Sequence, residues 1–267
     1  MEVSVILSVY HREKPQYLSK ALQSICEQTL KAKEIILVED GPLGEDLQNT
    51  IGHFENLYPE LRVIKLEKNG GLAHALNVAL SECKTDYIAR MDTDDISEPL
   101  RFEKQVGFLD SHQEVDCVGT WAIEIKSDDS EFYKKQMPLS HEECRQFYMK
   151  RNPMIHPTVM FRKSYFEKAG YYPEDTFQEE DTMLWANGFA NGCVFANIPE
   201  YLYRFRIDDQ FFNRRKGLRF AIDTFNIRHQ IRIKLGFPIV ADIYALLFAA
   251  SKMMPEPILK LLYKIAR

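Results

Sequence analysis

The sequence lacks any apolar run long enough to cross a bilayer. Its most hydrophobic stretch, Ile239 to Met254, has sixteen residues, against the roughly 20 that a spanning helix needs. It lacks a CxxC pair and any Cys/His cluster at metal-ligand spacing. The five cysteines (Cys26, Cys83, Cys117, Cys144 and Cys193) are odd in number and widely spread, which argues against a disulfide framework and for small apolar core residues in a reducing compartment. No Gly-x-Gly-x-x-Gly follows a strand-like segment, which disfavours a dinucleotide oxidoreductase. There is no internal repeat and no low-complexity tract. The N-terminal MEVSVILSVYHRE has an apolar run too short for a signal peptide and no small-residue cleavage site; it reads as a first strand, and the protein is expected to stay in the cytosol.

What is present is 267 residues, 45% of them hydrophobic, enough for one substantial core and a smaller lobe. The net charge of −5 is unevenly spread: residues from Tyr201 onward carry +8 and the preceding 200 carry −13. An acidic body with a basic tail is not a nucleic-acid footprint, which would line the main groove with basic residues. It suits a body that holds a cation and a tail that meets an anionic surface.

The first hundred residues alternate between two periodicities. Val3 to Val9 is β-rich and apolar, as in a buried parallel strand. Leu18, Ala21, Leu22 and Ile25 then share one helical face. Glu34 to Val38 reads as a second strand, a polar helix follows near 44–57, and Leu61 to Leu66 reads as a third strand. Asn69-Gly70-Gly71 turns into a helix holding Leu72, Leu76, Ala79 and Leu80, and Tyr87 opens a fourth strand. The middle predicts helices near 98–111 and 140–150, with strands at 115–125 and 157–162. Such alternation argues for an α/β sheet with mostly parallel strands, whose ligands bind beyond the carboxyl ends of the strands. Ser8, Asp40 and the Asp92–Asp95 run all fall at such ends.

Asp92-Thr93-Asp94-Asp95 puts three carboxylates within four residues. Without a cation or basic partners they would raise one another's pKa, and hard oxygen ligands suit Mg²⁺ or Mn²⁺. The alternative is a solvated loop with Asp95 capping a helix that begins near Pro99. Glu179-Glu180-Asp181 precedes Met183-Leu184-Trp185, and carboxylates are favoured at such a helix start for electrostatic reasons alone.

These segments in this order (Val3 to Tyr10, Glu39-Asp40-Gly41, Asn69-Gly70-Gly71-Leu72 with Asn77, Asp92-Thr93-Asp94-Asp95, Asn152 to Thr158, Glu180 to Trp185) resemble the family 2 inverting glycosyltransferases of the GT-A fold. The likeness spans residues 2–205 and is nearest to bacterial enzymes that build surface polysaccharide. It implies a nucleoside diphosphate-sugar donor, a UDP-sugar in the first instance, and a saccharide acceptor that could be lipid-linked. Ser8, Asp40, Asn69, Asp92 and Asp94 become the expected donor-binding set: Ser8 near the base or ribose, Asp40 on the base, Asp92 at the ribose or metal shell, and Asp94 on a Mn²⁺ or Mg²⁺ ion bridging the phosphates. Asp181, with Glu180 as the alternative, becomes the general base. Pro42 stands where the family often has Ser, and Leu76 where Arg is common.

The resemblance divides the chain into a catalytic domain, 1–205, with a nucleotide-binding half (1–100) and an acceptor-binding half (101–205), followed by a helical extension, 206–267. His156, Trp185, Tyr201 and Tyr203 are candidates for the acceptor side and equally for the core. Arg206, Arg214 and Arg215 could reach a diphosphate or form a solvated basic face. Residues 239–254 are apolar on nearly every helical face and are expected to be buried. The basic, aliphatic segment after Pro257 reads as an interfacial helix, so that 239–267 could touch a membrane. Two other functions compete: a nucleotide-sugar-binding regulator without turnover, and a sugar-nucleotide pyrophosphorylase. The latter is disfavoured because Ser8 to Arg12 holds no glycine.

Overall fold

The computed structural model describes residues 2–176, 179–207, 217–255 and 258. Four strands form the first half of its sheet: β1 (Val3–Val9), β2 (Glu34–Glu39), β3 (Leu61–Lys65) and β4 (Tyr87–Arg90). They run parallel in the order β3-β2-β1-β4. The order reverses between β1 and β4, the point where an open α/β sheet leaves a crevice. Alternation within the strands explains the layers. Val3, Val5, Leu7 and Val9 join the core on one face with Ile35 and Leu37, while Ile6, Ile36 and Val38 join the core on the other. The connecting helices α1 (Pro15–Cys26) and α2 (Glu45–Leu57) cover the first face and α3 (Leu72–Ser81) covers the second. The face proposed for α1 is the buried one: Leu18, Ala21, Leu22 and Ile25 have no exposed surface.

Beyond β4 the sheet becomes mixed. Strands β5 (Ile96–Ser97), β6 (Cys117–Ile125), β7 (Glu131–Lys135), β8 (Met160–Arg162) and β9 (Phe195–Arg206) extend it in the order β4-β8-β6-β9-β5, with β7 paired to β6. Helices α4 (Arg101–Ser111), α5 (His141–Tyr148), α6 (Ser164–Ala169) and α7 (Glu180–Ala190) fill the connections. Asp95 does not cap α4, which starts at Arg101 after an uncapped Leu100. Strands β5, β7 and β9 and helix α6 were not read from the sequence. The first is two residues long, and β9 mixes half-exposed Tyr201 and Arg204 with buried Leu202 and Tyr203.

Two further helices follow: α8 (Leu218–Leu235) and α9 (Val240–Ser251). Ile227, Ile231 and Leu235 of α8 pack into the same core as Trp185 of α7. Within the chain, helix α9 is buried along one face only. Its small residues Ala241, Ala245 and Ala249 are buried, while Ile239, Ile243, Leu246 and Leu247 around them are 55–76% exposed. Among the described residues no helix is long and apolar enough to cross a membrane. Apart from Ile258, the basic segment after Pro257 lies outside the described residues, as do Arg214 and Arg215.

Candidate active site

The loop after β2 is built around Asp40. Its backbone N–H continues the sheet by donating to the Val9 carbonyl at 2.8 Å, which turns the buried side chain toward the start of α3. There Oδ1 accepts from the Gly70 amide at 2.6 Å, and Oδ2 accepts from Asn69 Nδ2 at 2.8 Å and the Gly71 amide at 3.1 Å. Most of the carboxylate's acceptor capacity is thus committed to the Asn69-Gly70-Gly71 turn. Gly41 is required beside it: its φ is +88°, and a Cβ would sit 2.7 Å from the Asn69 nitrogen. Glu39, equally buried, accepts from Gln48 at 2.7 Å and pairs with Lys65 at 3.3 Å.

The loop after β4 holds the first acidic cluster. Ligand atoms of Asp92, Asp94 and Asp95 lie within 4.8 Å of one another. Buried Arg90 pairs with Asp92 through Nη2 at 2.5 Å. Burial opposes the Arg90 charge, yet Asp92 and the nearby tyrosines raise its pKa above the usual value. Asp95 lies deeper and accepts from the Arg206 amide at 2.6 Å; burial first, then Asp94 and Asp92, raise its pKa well above the carboxylate range. A fourth carboxylate joins from the loop after β1. Glu13 accepts from the Thr93 hydroxyl at 2.7 Å, and burial, with help from Asp92, raises its pKa as well. Thr93 also touches the Ser8 carbonyl at 3.3 Å, so Ser8 lies at the same rim. Crowded hard-oxygen groups with one buried, disfavoured negative charge fit a divalent cation. Asp92 and Asp94, both half-buried, are the residues that could hold it, and Asp95 backs them.

The second acidic cluster opens α7. Glu179 is buried and accepts from the Thr182 hydroxyl at 2.6 Å and the Thr224 hydroxyl at 3.2 Å. Asp181 accepts from the Thr182 amide at 2.7 Å and from Asn152 Nδ2 at 3.1 Å; burial and Glu179 raise its pKa. Glu180 is pushed up to about 7 by burial and by Asp181, a value useful to a group that exchanges protons near neutrality. The approach to α7 is pinned from α3: Asn77 donates to the Tyr172 carbonyl at 2.8 Å and accepts its amide at 3.0 Å. Arg90 joins the two clusters. It pairs with Asp92 and its positive charge opposes the upward shifts of both Glu180 and Asp181.

Several candidates are held by contacts within the fold. His156 is buried, hydrogen-bonds the Tyr172 hydroxyl at 2.8 Å and packs edge-on to Trp185. Its pKa is well below the ordinary value because of burial and Arg90. Trp185 and Tyr203 have no exposed surface. Tyr201 packs on Trp121. Arg206 does not reach for a diphosphate. Its Nε donates to the Asp94 carbonyl at 2.7 Å, and its Nη1 donates to the Lys126 carbonyl at 2.9 Å and pairs with Asp129 at 2.6 Å. It latches the acidic loop from behind. Sequence reading missed Glu13 and Arg90. Arg90 carried a usable signal, a charge at the end of an apolar strand immediately before three carboxylates. Glu13 carried none.

Residues 4–170 match the model of Glycosyl transferase family 2, and the chain belongs to that family. It is a glycosyltransferase with a GT-A type α/β fold. The chain is 37% identical over 262 residues to the amylovoran biosynthesis glycosyltransferase AmsE of Erwinia amylovora, covering 98% of this chain and 97% of that one. It is 32% identical over 228 residues to the UDP-Gal:alpha-D-GlcNAc-diphosphoundecaprenol beta-1,3-galactosyltransferase of Escherichia coli, covering 85% and 82% of the two chains. Among solved structures, the mannosyltransferase PcManGT from Pyrobaculum calidifontis in complex with GDP-Man and Mn²⁺ superposes with a TM-score of 0.67 at 16% identity, over 99% of this chain and 79% of that one. At that identity the likeness is one of fold.

Proposed function

We propose that the chain transfers a sugar, with inversion, from a UDP-sugar to a hydroxyl of a saccharide acceptor during assembly of a bacterial surface polysaccharide. One observation carries the reading. At the sheet's switch point the ligand atoms of Asp92, Asp94 and Asp95 gather within 4.8 Å of one another, and buried Arg90, paired with Asp92, also favours the ionised forms of the carboxylates that open α7. On this reading the donor lies over the carboxyl ends of β1, β2 and β4, near Ser8, Asp40, Asn69, Asp92 and Asp94. Asp92 and Asp94 would hold Mn²⁺ or Mg²⁺. A divalent ion there supplies positive charge to the diphosphate as it leaves.

The protein's own part is proton transfer and orientation. Asp181 takes the proton from the acceptor hydroxyl as that oxygen bonds to the anomeric carbon. The bond from that carbon to the diphosphate oxygen breaks on the opposite face, and its electron pair leaves with the nucleoside diphosphate. Glu180, with its pKa near 7, is the alternative base. Residues 1–205 are assigned to the catalytic domain and 206–267 to a C-terminal extension whose described part holds helices α8 and α9. A lipid-linked acceptor is consistent with the substrate named for the galactosyltransferase relative. It would place the enzyme at the inner face of the membrane, with the exposed aliphatic face of α9 in peripheral contact.

The test is release of nucleoside diphosphate with and without acceptor, after the donor has been chosen from UDP-, GDP- and dTDP-sugars by thermal shift with Mn²⁺. Asp181→Asn is expected to bind donor and lose transfer. If neither Asp181→Asn nor Glu180→Gln impairs transfer, the assignment of α7 as the catalytic element is wrong.

A further inference from the structure

Helix α8 lies beyond the residues that match the family model, yet it reaches the second acidic cluster at two points. Buried Arg228 donates from Nη2 to Asn152 Oδ1 at 2.8 Å. One turn earlier, the Thr224 hydroxyl donates to Glu179 Oε1 at 3.2 Å. We propose that Asn152 and Arg228 are positioning residues, which hold the Asp181 carboxylate in its ionised, aimed form and so make α8 part of the catalytic apparatus. The proposal rests on the reading of Asp181 as the general base.

The donor and acceptor inventory fixes the network. A guanidinium only donates, so the Asn152 oxygen must face Arg228 and both amide hydrogens must point away from it. They have two acceptors waiting: Asp181 Oδ2 at 3.1 Å and Thr182 Oγ1 at 2.8 Å. The Thr182 hydroxyl has a single hydrogen, and Glu179 Oε2 at 2.6 Å takes it, which leaves a lone pair free to accept from Asn152. The flipped amide would set its oxygen against the Asp181 carboxylate and its N–H groups against the guanidinium, repulsive at both ends. Arg228 therefore locks Asn152 in the orientation that an ionised Asp181 requires. A donor on a carboxylate favours the charged form, the form a base needs when the acceptor arrives.

The other groups facing Asp181 come from several elements. Burial and Glu179, at the N-cap of α7, act against ionisation of Asp181, Asp181 in turn raises the pKa of Glu180 on α7, and Arg90 on β4 and the Thr182 amide act for ionisation. Tyr148 on α5 lies close enough for Asp181 and Arg228 to act on its hydroxyl, and Tyr172 feels both Asp181 and Glu180. Arg228 is anchored by the Tyr148 carbonyl at 3.4 Å and packs over the Phe248 ring of α9 at 5.7 Å.

The experiment is the pH profile of kcat for the full chain and for Arg228→Met, Asn152→Leu and Arg228→Lys, with donor binding measured in parallel. Loss of the donated hydrogen bond should move the acid limb upward by about one pH unit. Rates should recover at high pH and the donor KM should stay unchanged. Arg228→Lys, still a pure donor, should return the limb toward its wild-type position and covers the case in which the methionine variant does not fold. A kcat lowered equally at every pH, with the limb unmoved, would mean that α8 only supports the fold and would overturn the proposal. Asp181→Asn separates the two failures. If that variant is inactive while the limb of Arg228→Met stays put, only the positioning network falls. If it transfers sugar normally, the base assignment falls too.

Discussion

Replacing Asp40 by alanine separates two roles for the same carboxylate. If it mainly recognises the nucleotide base, its removal should weaken donor binding and leave the free protein intact. The structure instead shows three hydrogen bonds from the Asn69-Gly70-Gly71 turn ending on a buried charged acceptor. Bonds to a charged group contribute about 1.5–3 kcal/mol each, and even at the low end of that range the three sum to about 4–5 kcal/mol. Asn69 and Gly70 are exposed, so water takes up part of what is lost, and the expected net destabilisation is about 2–3 kcal/mol. For a chain of this size that lowers Tm by about 5–10 °C. Differential scanning fluorimetry of the free protein reads the effect directly, and Asp40→Asn should show a smaller fall because it keeps one acceptor oxygen. Donor affinity should drop as well, because the turn forms the donor rim. A variant with unchanged free-state Tm and abolished UDP binding would refute the bracing role and return Asp40 to direct base recognition.

Three further outcomes are expected. Glu180→Gln should raise stability at neutral and higher pH. The folded pKa of about 7 against the usual 4.5 means that stability is lost as pH rises from the lower value through the higher. Urea unfolding should therefore show variant and wild type converging near pH 4.5 and differing by about 2–3 kcal/mol at pH 8; equal stability at both pH values would contradict the shift. Arg206→Met removes a buried cation that holds the Asp94 carbonyl and pairs with Asp129. Asp129 is part-exposed and keeps Lys20, so the cost is that of the lost hydrogen bonds to the Asp94 and Lys126 carbonyls, about 2–3 kcal/mol; Mn²⁺ binding should weaken in a direct titration, and a loss below 1 kcal/mol would show that the latch is dispensable. Leu246→Glu with Leu247→Glu should abolish binding to anionic vesicles in a flotation assay while leaving transfer to a water-soluble acceptor unchanged. If the wild-type protein ignores such vesicles at low salt, the membrane contact is wrong.

Periodicity carried the first half of the fold, because buried parallel strands and one-faced helices write their environment directly into the order of apolar residues. The inward face of α1 and the rim at Asp40 and Asp92 were legible for that reason. The second half was harder. Short β5 has too few residues to show a period, and β9 is half-exposed along part of its length. The apolar stretch of α9 misled, since hydrophobicity alone does not say that alanines would pack inward and leucines point out.

The sequence by itself determined the α/β alternation, the acidic groups at the strand ends and the family that those motifs define. Tertiary structure alone decided how those charges are shared out. Asp40 braces a turn from thirty residues away, Arg206 turns its back on the ligand side to latch the acidic loop, and Arg228 reaches from α8 to Asn152. The reason is geometric. A hydrogen bond depends on distances of a few tenths of an ångström and on the direction of each donor, and neither is set until distant segments of the chain have packed.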